Sequence, residues 1–317
     1  MSNEDVVKEE TGHTEEGDHV VSAGRLMTAA TVWAVAASSF LVIIKFIAWV
    51  MTGSVSMLGS LIDSVMDVLA STTNFFAVRH ALIPPDSDHR FGHGKAEALA
   101  GLGQFAFISG SAVFLALQSG ERLLHPVALG QTAVGYVVIS FSLAVTLALV
   151  SFQRYVVGKT GSLAIGADEM HYRSDFLMNL GVLAAIALST TGWFKGADAV
   201  FGFAIAGYLG FSAWTIMRRS FDELMDKEFD DVDRQKIRAI VLEFPEVRGM
   251  HDLRTRRSGV RAFIQLHMEL DGDMKLMDAH YVADKVEAKI QDAFVGAEVI
   301  IHEDPADYET PSELQRT

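Results

Sequence analysis

Six apolar stretches dominate the chain and restrict the folds that are open to it. Each has about 20 residues or more, the length that an α-helix needs to cross a hydrocarbon layer of roughly 30 Å. Inside such a layer every backbone polar group must be hydrogen-bonded within the protein, so the stretches predict membrane-spanning helices. The six stretches lie near residues 26–51, 56–80, 96–119, 131–155, 164–190 and 196–217.

Composition agrees with a membrane protein that carries a soluble part. Of the 317 residues, 50% are hydrophobic. The chain has no cysteine, which excludes disulfides and thiolate metal sites, so any metal must be held by histidine, carboxylate or backbone oxygen. The net charge of -14 argues against a nucleic-acid partner.

The charged residues divide the rest of the chain into parts. Residues 1–21 are acidic and lack the basic start and apolar core of a signal peptide, so they predict a disordered tail. A six-helix transmembrane domain is predicted over residues 22–220, and a second disordered tail over residues 307–317. Most lysines and arginines of the short loops fall on one side of the helices, which places both termini in the cytoplasm.

Residues 221–306 have the hydropathy of a small soluble domain. Their patterns predict a helix at 231–244, strands at 248–257 and 260–270, a helix at 277–294 and a strand at 297–303. The predicted fold class is therefore an α-helical membrane protein with six transmembrane helices and a small cytoplasmic α+β domain of α-β-β-α-β order.

Two carboxylates interrupt the second apolar stretch. Asp63 and Asp67 are four residues apart, so both side chains lie on one face of a helix. An aspartate near the bilayer centre costs roughly 2.5 to 3.5 kcal/mol, which makes an intramembrane pair a functional-site hypothesis. Lys45, in the first stretch, is predicted to extend towards the interface, without a functional role.

The fifth stretch supplies matching polar groups. Thr52-Gly53-Ser54 recurs as Thr160-Gly161-Ser162, and the ungapped alignment puts Asp63 on His171 and Asp67 on Asp175. Either the chain contains an inverted repeat, as many transporters do, or the match is a coincidence. Three carboxylates and one imidazole are enough for a tetrahedral divalent site. The alternative is a set of separate helix–helix hydrogen bonds.

Two further groups of histidines lie outside the predicted helices of the membrane. Asp86, His89 and His93 fall within eight residues of one loop and predict a second metal site at the cytoplasmic face, unless the histidines only face water. In the soluble domain, a regulatory metal cluster is weighed against separate surface histidines. Its candidate ligands are His251, His267, His280, His302 and Asp304.

Five motifs resemble the cation diffusion facilitator family, and the resemblance covers about residues 22–306. The motifs are Ser60–Asp67, His89–Glu97, Ala167–Asp175, His251–Arg256 and Val299–Asp304. The resemblance implies a homodimer with six transmembrane helices per subunit and metallochaperone-like cytoplasmic domains. It also implies export of Zn²⁺, or of Cd²⁺, Fe²⁺ or Mn²⁺, from the cytoplasm across the inner membrane in exchange for protons.

The resemblance also assigns roles to residues. Asp63, Asp67, His171 and Asp175 resemble the transport site, and Asp86, His89 and His93 the loop site. The five candidate ligands of the soluble domain resemble a binuclear site that bridges two subunits. Lys95 and Asp226 resemble a salt bridge that steadies the dimer. Glu303 stands where the family pattern has glutamine, and it adds either a ligand or only charge.

The sequence therefore predicts a Zn²⁺/H⁺ antiporter that works by alternating access, with two alternatives. An intramembrane metal-dependent hydrolase would need a general base beside an open zinc position, and the chain has no His-Glu-x-x-His helix. A membrane-anchored metal sensor would tolerate loss of the intramembrane aspartates.

Overall fold

Six long helices follow the six predicted apolar stretches. A computed structural model of the chain describes residues 3–53, 55–124, 133–190 and 197–306. Five of the helices contain a segment that is long and apolar enough to cross a membrane, and the remaining one, α5, is 28 residues long but rich in charged groups. The helices are α1 (Asn3–Thr52), α2 (Val55–Ala81), α3 (Ala96–Leu124), α4 (Ala133–Thr160), α5 (Leu163–Thr190) and α6 (Ala197–Leu224). The predicted helical membrane domain is confirmed.

The first helix begins earlier than the sequence predicted. Helix α1 begins at Asn3, inside the segment predicted to be a disordered tail, residues 1–21. The segment contains no proline and several glutamates, which favour a helix, whereas Gly12 and Gly17 weaken it. The disordered tail stays a prediction. The other predicted tail, residues 307–317, lies outside the described residues.

The Thr-Gly repeat has the same local structure in both copies. Gly53 and Gly161 follow α1 and α4 with φ of +60° and +66°, and each N–H donates to a carbonyl four residues earlier, at 2.8 Å. This is the left-handed cap that favours glycine after a helix. Each copy therefore ends one helix just before a helix with predicted ligands, α2 or α5. Ser54 is outside the described residues, and the inverted repeat stays a prediction.

Helix α5 packs against three other helices, α2, α3 and α4. Its Ala167 also lies in an apolar cluster with Ile108 of α3 and Leu209 of α6. Large apolar side chains elsewhere on the helices are instead exposed, among them Trp33, Phe114 and Trp214. Such outward-facing residues suit contact with lipid. The polar residues of α5 can thus be shielded by protein.

The soluble part contains two helices and a three-stranded sheet, as predicted. Its elements are α7 (Asp231–Val241), β1 (Gly249–Ser258), β2 (Arg261–Leu270), α8 (Leu276–Ala293) and β3 (Ala297–Pro305). The strand order is β1-β2-β3, with β1 antiparallel and β3 parallel to β2. Alternate residues of β2, such as Ile264, Leu266 and Met268, are fully buried in a core with Ile237 and Val286 from the helices. The opposite face of the sheet is left for polar residues.

The chain divides into two compact units. One is Gly24–Phe221, which holds most of the membrane helices, and the other comprises Met1–Ala23 and Asp222–Thr317 and includes the sheet. The assignment of residues 22–220 and 221–306 to separate functional domains stays a prediction.

Candidate metal sites

Three of the four predicted intramembrane ligands meet between α2 and α5. His171 Nε2 lies 3.2 Å from Asp67 Oδ1 and 3.6 Å from Asp175 Oδ2. We call Asp67, His171 and Asp175 the membrane cluster, since one ligand atom from each lies within 4.8 Å of the others. Asp175 Oδ2 is buried without a hydrogen-bond donor among the described residues. Because a buried charged oxygen without a partner is costly, this atom fits a cation ligand.

The structure does not bring Asp63 into the membrane cluster. Its side chain is exposed on α2, and its carboxylate is not one of the three groups that share ligand distance. Residues four apart on a helix are about one turn apart along its axis. Asp63 and Asp67 can therefore bind one ion together only if α5 places His171 at a height between them. Membership of Asp63 in a four-ligand site stays a prediction.

Lys45 is buried, so the prediction that it reaches outward to the interface is wrong. Only 7% of Lys45 is exposed, and its Nζ donates to Ser64 Oγ at 2.6 Å and to the Ser60 carbonyl at 3.2 Å. These two acceptors on α2 let the ammonium stay inside the protein. Lys45 therefore lies buried against the same helix, α2, that carries Asp67.

A second polar group holds α5 to α3 and α4. Asp168 is fully buried, and its Oδ1 and Oδ2 accept from Gln104 Nε2 at 3.1 Å and Gln153 Nε2 at 2.6 Å. One turn further along α5, the Tyr172 hydroxyl is hydrogen-bonded to Ser71 of α2 at 2.6 Å. These contacts on both sides of His171 fix the position and rotation of the helix that carries it.

The start of α5 is held by a residue of α3. Ser162 Oγ donates to Glu97 Oε2, and the Ala164 N–H donates to the same oxygen at 3.3 Å. Glu97 is 1% exposed. A carboxylate is favoured at this place because the free N–H groups of a helix N-terminus carry partial positive charge.

The loop between α2 and α3 brings its three predicted ligands together. Asp86 Oδ1 is 3.3 Å from His89 Nδ1, and Asp86 Oδ2 is 3.3 Å from His93 Nε2. The backbone N–H of His89 donates to Asp86 at 2.6 Å and, as the largest cause, lowers the pKa of this carboxyl below its ordinary value. Asp86 is therefore ionised at neutral pH, as a metal ligand must be. We call Asp86, His89 and His93 the loop cluster.

In the soluble part, strand register aligns three histidines in one row. His251 pairs with His267 across β1 and β2, and His267 pairs with His302 across β2 and β3. The row lies on the face of the sheet that is not covered by the buried core. His251, His267 and Asp304 bring their ligand atoms within 4.8 Å of one another, and we call them the sheet cluster.

Asp304 uses its two oxygens in different directions. Asp304 Oδ2 lies 2.7 Å from His267 Nδ1 and 3.4 Å from His251 Nε2, whereas Oδ1 lies 3.3 Å from His302 Nε2. A carboxylate with histidines on both sides suits a bridge between two cations. The arrangement therefore fits a binuclear site better than a single one.

His280 and Glu303 are not brought to the sheet cluster. His280 is on α8, which packs its buried side into the core on the other face of the sheet, and its ring lies 3.7 Å from Asp284. Glu303 pairs in register with the core residue Met268, so alternation turns it away from His302 and Asp304. Within one chain, the structure gives neither residue a place among the ligands.

The predicted salt-bridge partners lie in different units. Lys95 belongs to the unit of membrane helices, and Asp226 to the unit that contains the sheet. Asp226 Oδ1 lies 3.4 Å from Arg256, and its φ is +52°. The pairing of Lys95 with Asp226 stays a prediction.

Two acidic neighbours of the sheet cluster were missed by sequence reasoning. Glu269 Oε1 lies 2.9 Å from His251 Nδ1, and Asp252 Oδ2 lies 3.9 Å from His267 Nε2. The alternation of β2 could have found Glu269, which shares a face with His267. The position of Asp252 beside His267 results from a register shift between His251 and Arg254 and from a φ of +45° at Asp252. The sequence does not predict either feature.

Two family models match the chain. The cation efflux transmembrane domain matches residues 31–225, and the cytoplasmic domain of cation efflux proteins matches residues 229–306. Among curated proteins, the cation-efflux pump FieF of Klebsiella pneumoniae is 48% identical over 285 residues, which cover 90% of this chain and 95% of that protein. FieF of Salmonella choleraesuis is 48% identical over 282 residues, which cover 89% of this chain and 94% of that protein.

Two solved structures are similar to about a quarter of the chain. The zinc form of CzrB is 31% identical, with a TM-score of 0.26, and covers 27% of this chain and 99% of its own. The metal-bound C-terminal domain of the CzcD transporter from Thermotoga maritima is 30% identical, with a TM-score of 0.24, and covers 25% of this chain and 98% of its own.

Family membership rests on the length of these matches. The transmembrane family model spans residues 31–225, most of the 317-residue chain, and the relatives are matched over nearly their whole length. The resemblance to the cation diffusion facilitators is thereby confirmed. The chain belongs to the cation efflux family, as a multi-pass membrane transporter with a cytoplasmic C-terminal metal-binding domain, and it is not an enzyme.

Proposed function

We propose that the protein exports Zn²⁺ from the cytoplasm across the inner membrane in exchange for protons, by alternating access. The membrane cluster carries this proposal: one imidazole nitrogen, His171 Nε2, faces the carboxylates of both Asp67 and Asp175. Asp63 completes the site as a fourth ligand in the metal-bound state. The relatives named cation-efflux pumps support the outward direction of transport.

Exchange follows from the chemistry of that nitrogen. His171 Nε2 can hold a proton, which the two carboxylates stabilise, or it can bind a metal ion, but it cannot do both. Zinc that enters the membrane cluster therefore displaces at least one proton. Protons that arrive from the other side of the membrane displace zinc in turn.

The ligand types favour zinc among the divalent ions. Imidazole is softer than carboxylate and suits Zn²⁺, while a wholly oxygen-based set would suit Mn²⁺ better. With one nitrogen and three oxygens the site is mixed, so Cd²⁺, Fe²⁺ and Mn²⁺ are competitors and Zn²⁺ is the proposed substrate.

Zinc-driven proton movement in proteoliposomes tests this function. We expect zinc uptake by vesicles containing the purified protein to be matched by proton movement in the opposite direction. Uptake should weaken as the pH on the loading side falls, because the imidazole of His171 then keeps its proton and cannot bind the metal. Zinc uptake without proton movement would contradict exchange, and the absence of uptake would favour the sensor.

For the soluble domain, we propose a regulatory binuclear zinc site that joins two subunits of a homodimer. The family model that matches residues 229–306 is that of a dimer domain. His251, His267, His302 and Asp304 supply ligands from one subunit, and His280, which lies on the other side of its own sheet, supplies one to the partner. Lys95 and Asp226 are proposed to pair near the membrane surface in this dimer, and Glu303 to contribute charge only.

Replacement of both His267 and His302 by alanine should abolish the response of the dimer to zinc. Metal between two acidic domains offsets their repulsion, so in the wild type zinc should shorten the distance between spin labels on the two soluble domains. Gln265→Ala, an exposed change on the same strand, is the control and should keep the response. A full zinc response in the double variant would rule out the proposed ligands.

A further inference from the structure

We propose that His80 is a fourth ligand of the loop cluster, which makes the loop a closed tetrahedral site for Zn²⁺ or a similar ion. The inference rests on the proposed loop site and adds a residue from outside the loop motif. It also assigns a role to the site. A four-ligand site without an open position is typical of structural metals, so the loop holds a resident ion and does not pass cargo to the membrane cluster.

Three imidazole rings lie side by side at this place. The ring centroid of His93 is 4.5 Å from that of His89 and 4.8 Å from that of His80. The carboxylate of Asp86 contacts His89 and His93 at 3.3 Å. Nitrogen from histidine and oxygen from aspartate are both zinc ligands in proteins. Here three histidines and one aspartate occur within residues 80–93.

A short turn at the end of α2 places His80 beside His93. The His80 carbonyl accepts the N–H of Ile83 at 3.1 Å, and the Ile83 carbonyl faces His93 Nδ1 at 3.4 Å. Ile83 therefore contacts both histidines, which are thirteen residues apart in the sequence. The first of these contacts joins two backbone atoms, so it does not depend on the orientation of the His80 ring.

The same carbonyl fixes which nitrogen of His93 can bind metal. A carbonyl oxygen only accepts, so in the neutral ring Nδ1 carries the hydrogen and Nε2 carries the lone pair. That lone pair faces Asp86 Oδ2 at 3.3 Å. In the neutral ring, two electron-rich atoms face each other at this place, which suits a cation, and the Ile83 carbonyl has the orienting role usual for metal-bound histidine.

His80 is free to complete the set. Its side chain is exposed and, among the described residues, makes no hydrogen bond or ion pair, and its ring lies against that of His93. Binding would therefore break no existing interaction. His80 is not one of the three residues whose ligand atoms already lie within 4.8 Å of one another, so the proposal requires its side chain, in the last turn of α2, to turn towards the ion.

Zinc binding to the loop alone tests the inference. The background is the full-length protein with Asp67→Ala, His267→Ala and His302→Ala, which disables the membrane and sheet clusters. In this background we expect His80→Ala to weaken zinc binding at least about tenfold in competition with a chromogenic chelator. X-ray absorption of the bound zinc should show one imidazole fewer. Arg79→Ala, the exposed neighbour, is the matched control and should change neither value.

The outcomes separate the two proposals. If His80→Ala matches Arg79→Ala while His93→Ala loses zinc, the loop site stands and His80 is not a ligand. If the background protein binds no zinc at all, the loop site and the inference both fail. Loss of one imidazole together with weaker binding in His80→Ala alone would support the four-ligand site.

Discussion

Asp67→Ala is expected to abolish metal transport and leave the protein folded. Asp67 supplies the oxygen nearest to His171 Nε2, at 3.2 Å, so its removal leaves a site with one carboxylate beside the imidazole. The side chain is only partly buried, and alanine favours a helix, so α2 should keep its structure. Zinc flux into proteoliposomes is the measurement, and we expect at least about a hundredfold loss, since losing even an outer-shell contact typically costs 10- to 100-fold in metal affinity.

The control for this variant is Thr73→Ala on the same helix. Thr73 is exposed and its hydroxyl donates only to the Leu69 carbonyl within α2, so transport should be unchanged. Asp63→Ala adds a second comparison. A loss equal to that of Asp67→Ala would make Asp63 a ligand in the metal-bound state, although it lies outside the membrane cluster. Wild-type flux from Asp67→Ala would favour the metal sensor over the transporter.

The largest expected change in stability is that of Asp168→Ala. Its two oxygens accept from buried amides of Gln104 and Gln153, and alanine leaves both donors without an acceptor inside the membrane domain. Each unsatisfied buried donor costs about 1–3 kcal/mol, and the relief of the buried carboxylate offsets only part of this. We expect a loss of roughly 2–5 kcal/mol in the free energy of unfolding in detergent micelles.

A second buried polar residue provides the control for Asp168. Ser142 of α4 is 3% exposed, and its hydroxyl has no hydrogen-bond partner among the described residues. Ser142→Ala removes a buried polar group without leaving a donor unpaired, so it should unfold like the wild type. Equal unfolding of Asp168→Ala and Ser142→Ala would mean that the two glutamine amides find other acceptors.

Local patterns were enough to predict the elements of the fold. Length and hydropathy predicted the six helices because a membrane accepts few other structures. The alternation of β2 predicted which side of the strand is buried, and Leu266 and Met268 are indeed in the core. The candidate ligands His171 and Asp175 were found through the alignment of the two Thr-Gly-Ser segments, and their spacing of four residues puts both on one face of α5.

Contacts between elements were harder to predict. Lys45 was expected at the interface because hydropathy along α1 does not reveal that Ser60 and Ser64 of α2 offer it two acceptors. Spacing on α2 placed Asp63 beside Asp67, but only the rotation of α2 against α5 decides which of them reaches His171. His80 and His93 lie side by side because the backbone turns at Ile83, and the spacing of the histidines in the sequence does not predict this turn.

Glu97 connects the loop between α2 and α3 to α5, the helix that carries His171 and Asp175. It lies two residues beyond Lys95 at the end of the loop motif, and it holds the first turn of α5 through Ser162 and Ala164. Through these two hydrogen bonds, the start of α3 contacts the first turn of the helix that carries His171. If an ion bound at the loop changes the affinity of the membrane cluster for the transported ion, then the transported ion must change the affinity of the loop by the same factor. An ion bound at the loop is thereby linked to the metal affinity of the membrane cluster, whose His171 lies about two helical turns from the start of α5.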